Sequence, residues 1–88
     1  MDDNFQYFDD ADLSDINGAS YLTLIDRERN TYTPIRLHSI SIHGNDLYKW
    51  IITIIPDSGC KFRYRNFFDK KELAEEFSKR IQLLSNRL

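Results

Sequence analysis

The side chains best suited to chemistry are few. His38 and His43 stand five apart, and a lone cysteine follows at Cys60. Imidazole and thiolate are metal ligands, and together they form a nucleophile–base pair. Asp46 and Cys60 are the nearest further ligand candidates, yet no recognised ligand spacing links them to the histidines. Nothing marks an oxyanion hole or a third catalytic group, so Cys60 reads as a small hydrophobe following a turn. Glu72, Glu75 and Glu76 crowd the start of a helical segment, where carboxylates complement the positive helix end. The three glycines, Gly18, Gly44 and Gly59, are scattered, which excludes a phosphate-cradling loop. No catalytic residue, metal ligand or cofactor is assigned.

Charge carries more information. The formal net charge is −2, but it is polarised along the chain. Residues 1–26 hold seven aspartates and no lysine or arginine. Residues 27–88 hold all twelve basic groups. Two surfaces follow. Asp9, Asp10, Asp12 and Asp15 form an acidic segment, which either meets a basic partner or folds back over the chain's own basic face. Lys61, Arg63 and Arg65 alternate with Phe62 and Tyr64, so in a strand the three cations share one face, with Lys49 across the hairpin. Such a face suits a phosphate backbone. The aromatics, however, fall on the opposite face, which argues against base stacking on the sheet.

The elements that position these groups are legible in the patterning. Residues 1–19 show no strand alternation; a short helix capped by Asp9 or Asp10 and ending near Asn17-Gly18 is predicted, or else an acidic arm. Residues 20–88 read as β-β-β-β-α. Tyr21–Ile25 is the first strand, rich in β-branched and aromatic residues. Thr31–Ile42 is the second, with Pro34 confining it to an edge and a change of apolar parity predicting a bulge near His38-Ser39. Leu47–Ile55 and Cys60–Phe67 form a hairpin through a turn at residues 56–60, pairing Ile54 with Phe62 and Ile52 with Tyr64. Trp50, Ile52, Ile54, Phe62 and Tyr64 would then face the core. Asp69 with Glu72 has the capping-box spacing, and Phe68 would staple onto Leu73. Leu73, Phe77, Ile81, Leu84 and Leu88 recur as one helical stripe.

The fold class is therefore α+β: a single small domain with a four-stranded antiparallel meander and a C-terminal helix packed on one face, the alternative being a strongly bent small barrel closed by the helix. The 88-residue length leaves room for one domain. No apolar run is long enough to span a membrane, and the start lacks a secretory signal pattern, which points to the cytoplasm. The expected function is binding of another protein by occlusion, of an inhibitor, immunity or anti-defence type, without enzymatic activity or a small-molecule substrate. The alternative is a nucleic-acid-binding module using Lys61, Arg63 and Arg65.

Overall fold

The computed structural model describes residues 5–45, 49–57 and 62–88. Its first departure from expectation lies in the acidic segment, which forms strands β1 (Phe5–Tyr7) and β2 (Asp10–Ile16) and no helix. The reason is Asn17-Gly18. Both residues have positive φ, 51° and 83°, as a two-residue hairpin turn requires. The turn sets Ile16 opposite Ala19 and pairs β2 along its whole length with β3 (Ala19–Asp26). At the next turn the buried Asp26 carboxylate accepts the N–H groups of Glu28 (3.1 Å) and Arg29 (3.3 Å). The chain then returns as β4 (Thr31–Ile35). Pro34 is tolerated because β4 is an edge of this three-stranded sheet, ordered β2-β3-β4.

The predicted second strand is in fact two. It breaks at Arg36, and β5 (Leu37–Asn45) continues in a different sheet. The anticipated bulge lies between Leu37 and Ser39, where the β5 register shifts. The second sheet runs β1-β7-β6-β5, with β6 at Lys49–Pro56 and β7 at Arg63–Phe68. The single four-stranded meander is thus replaced by two sheets of four and three strands. One pairing is parallel: β1 lies along β7, with Phe5 beside Arg63 and Tyr7 beside Arg65.

The β6–β7 register is displaced two residues from the expected one. Ile54 faces Tyr64 and Ile52 faces Asn66. A shift of two keeps every side chain on its predicted face, because the pleat repeats every two residues. It does move Phe62 beyond the core, so that residue is exposed instead of buried. Gly44 sits opposite Trp50, and a Cβ there would lie 3.2 Å from the indole ring. The missing side chain lets the ring lie over the strand.

Helix α1 (Lys71–Asn86) packs against strands of both sheets. Its N-cap is Lys70, with no side-chain cap; the Asp69 carboxylate lies 3.9 Å from the Lys49 ammonium. The buried helical positions are Ala74, Ser78 and Ile81, while Leu73 and Leu88 are exposed. Of the predicted stripe, Phe77, Ile81 and Leu84 pack onto the core as expected, while Leu73 and Leu88 stay exposed and Ala74 and Ser78 join the buried face. Phe68 meets Phe77 (5.2 Å between ring centroids) in place of stapling Leu73, and Phe77 also contacts Phe8 (5.7 Å). The core joins both sheets and the helix through Phe8, Ala11, Leu22, Leu24, Ile35, Ile52, Ile54, Tyr64, Ala74 and Ile81. No described helix is long and apolar enough to cross a membrane.

Candidate interaction surface

Among the described residues, the four-stranded sheet has one face under the helix and one face open. Strand pairing orders the open face into rows. Phe5 stands beside Arg63 at one end. Tyr7, Arg65, Thr53 and Ser41 cross the middle of the sheet. Phe67, Ile51 and His43 form the next row. Phe5, Tyr7 and Phe67 are 40%, 42% and 38% exposed, high values for rings on a regular sheet. The Arg65 guanidinium lies over the Phe5 ring at 4.7 Å, a cation–π contact. Thr53 is buried at the floor beneath these taller neighbours, and its hydroxyl has no hydrogen-bond partner among the described residues.

This arrangement revises the expected distribution of aromatics. Tyr64 is indeed on the core side, but Phe5, Tyr7 and Phe67 share the face of Arg63 and Arg65. Phe5 and Tyr7 were missed because their segment read as a helix or arm, in which i and i+2 do not share a face. Phe67 was legible from its odd parity with Arg63 and Arg65. On the open face the described strand residues include no carboxylate. Asp57 and Asp69 lie just beyond strand ends, near His38 (3.7 Å) and Lys49 (3.9 Å) respectively.

The predicted basic cluster is only partly assembled. Arg63 and Arg65 alternate on β7 as expected. Lys49 sits at the far end of β6, opposite the Phe68–Asp69 end of β7, and pairs with Asp69. Lys61 and Cys60 lie outside the described residues, as does Asp46.

The predicted acidic surface divides in two. Asp9 and Asp10 turn inward onto the chain's own cations. Asp9 Oδ2 accepts the Arg27 backbone N–H at 2.8 Å. Asp10 is bracketed by two guanidinium groups, with Arg80 donating to Oδ1 at 2.6 Å and Arg27 to Oδ2 at 2.7 Å. Arg80 also donates to the Ala11 carbonyl at 2.9 Å, tying the helix to β2. Burial alone would raise the Asp10 pKa. The hydrogen bonds from Arg80 and the Ala11 amide, with the charges of Arg80 and Arg27, outweigh it and hold the carboxyl below its ordinary range. Asp12 and Asp15 remain exposed; the Asp12 carboxylate accepts the Leu13 N–H and that of Asp15 accepts the Ser20 hydroxyl at 2.5 Å. Asp9 and Asp10 thus pair with Arg27 and Arg80 and not with the predicted basic strand face.

No protein-family model matches this chain, and no curated protein or solved structure is significantly similar to it.

Proposed function

We propose that the chain is a non-enzymatic protein-binding module that acts by occlusion, with the open sheet face as its docking surface. One observation carries the reading. Strand β6 runs Trp50-Ile51-Ile52-Thr53-Ile54-Ile55, an almost continuous apolar stretch of the kind found in strands covered on both faces. Among the described residues, the helix and the second sheet cover only one of them. The uncovered face combines aromatic rings, arginine and aliphatic floor residues, the composition that dominates binding energy at protein interfaces. The Arg63 and Arg65 guanidinium groups on this face favour a partner with an acidic patch, which would accelerate encounter and fix orientation. Of the residues predicted to bind a partner, Asp9, Asp10, Asp12, Asp15, Lys49, Lys61, Arg63 and Arg65, this reading keeps Arg63 and Arg65, sets the aspartates aside and adds Phe5, Tyr7 and Phe67.

A nucleic-acid reading is favoured by one feature, the sharing of a face by arginines and exposed rings. Single strands bind such surfaces through base stacking and phosphate neutralisation. Capture from source-cell lysate on the immobilised chain, with and without nuclease, separates the readings. The expected result is a partner retained after nuclease, lost by the folded double variant Arg63→Glu/Phe67→Ala and kept by Asp12→Asn/Asp15→Asn. Loss of all bound material on nuclease treatment moves the assignment to nucleic acid. Retention by the double variant refutes both.

A further inference from the structure

The two sheets have four edge strands, and three are blunted. β1 is only three residues long. β2 carries Asp10, Asp12 and Asp15, and Arg80 occupies its Ala11 carbonyl. β4 contains Pro34. These are the devices by which sheet edges avoid pairing. β5 carries only the bulge between Leu37 and Ser39 at its start, and Ser39–Asn45 beyond it pair in regular register. Its nine residues, Leu37-His38-Ser39-Ile40-Ser41-Ile42-His43-Gly44-Asn45, include no proline and no lysine, arginine or carboxylate. It pairs only with β6 among the described residues, leaving an edge roughly 30 Å long. His38, Ser39, Ser41, His43 and Gly44 are exposed along it.

We infer that this edge receives a second copy of the chain, β5 against β5 in antiparallel sense, to form a two-fold dimer with one continuous eight-stranded sheet. The sequence itself specifies the occupant. An antiparallel pair centred on Ser41 joins Ser39–His43, the regular stretch beyond the bulge, and is nearly self-complementary. Ile40 meets Ile42 of the other copy on the helix side, Ser39 meets His43 on the open side, and Ser41 meets itself. A closed two-fold contact demands this self-matching, since the same patch serves both partners. The two-fold axis stands perpendicular to the sheet. Both open faces therefore point the same way, with both helices behind. Two copies of the surface formed by Phe5, Tyr7, Arg63, Arg65 and Phe67 then present together.

Sedimentation equilibrium of the full chain over a wide concentration range tests the dimer. The wild type is expected at about twice 10.5 kDa at high concentration, dissociating on dilution. Ser39→Lys/His43→Lys places like charges opposite each other twice and should weaken association about tenfold or more. Ser39→Lys/His43→Glu alters the same positions but makes two opposite-charge pairs, and should preserve the dimer. Phe67→Ala should also leave it intact, which distinguishes edge pairing from contact through the open face. Circular dichroism confirms that each variant is folded; if the lysine pair unfolds the chain, Ser41→Lys repeats the test at the axis. A wild type that stays monomeric throughout overturns the proposal. So does a dimer indifferent to the lysine variants, a dimer lost with Phe67→Ala, or growth into open-ended polymers.

Discussion

The two faces of the four-stranded sheet are lined by similar residues and end in different states. Ile52 and Ile54 on one side of β6 are fully buried, whereas Ile51 and Ile55 on the other are only partly covered. The side chains are the same. What differs is the layer above them. On one face Ala74 and Ile81 of the helix complete a packed interior. On the other, arginines and rings shade the floor without sealing it. Burial is thus a property of the covering layer more than of the strand.

Several substitutions break or sharpen this contrast. The largest effect is expected on the closed face, where Ile81→Ala should cost about 2–5 kcal/mol in chemical denaturation. Phe67→Ala on the open face should fall within the small range of surface sites, under about 0.5 kcal/mol. Equal losses at the two positions would collapse the distinction between the faces.

The Asp10 ion-pair cluster gives the next effect. Asp10→Asn should cost about 1–2 kcal/mol near neutral pH, where both arginines lose a charge-assisted acceptor. Because the folded-state pKa of Asp10 is depressed, its contribution is fully present above the ordinary carboxylate range and is lost as pH falls through the lower folded value. The variant should show a flatter loss of stability below about pH 4. A parallel acid limb in both proteins would remove Asp10 from the account.

Thr53→Val should stabilise the chain by about 0.5–1 kcal/mol, since it deletes a buried hydroxyl that has no described partner and keeps a β-branched shape. The smallest effect belongs to Asp69→Ala, expected within about 0.5 kcal/mol because the carboxylate caps nothing and its lysine pair is exposed. A loss near 1 kcal/mol, usual for an N-cap, would restore the capping role.

Much of the fold was readable from pattern alone. The strands around Leu22, Ile40, Ile52 and Tyr64, the bulge before Ser39 and the final helix all follow from local periodicity. The misreadings share a cause, which is that tertiary neighbours decided between locally similar choices. Asn17-Gly18 suits a helix end or a hairpin; the pairing of Leu13 with Leu22 chose the hairpin. Leu73 has the right helical spacing for the core, but it stays exposed while Ala74 and Ser78 are buried. Arg36 carries no break signal, so the passage of the chain between sheets there was invisible. For the candidate surface, Arg63 and Arg65 were found by alternation, while Phe5 and Tyr7 belong to it only through a parallel pairing across more than half the chain.

That parallel pairing also imposes an order of events. β1 joins a strand that begins at Arg63, and the next backbone link, from the Phe8 N–H to the Arg65 carbonyl at 3.1 Å, spans the same distance along the chain. During synthesis residues 5–8 emerge early but find no partner until β7 has followed them. The β2–β3 hairpin, closed by a two-residue turn, can form almost at once. Loop-closure entropy makes such distant contacts slow to form. The aromatic end of the candidate docking surface therefore rests on contacts that close a far longer loop than the β2–β3 hairpin does.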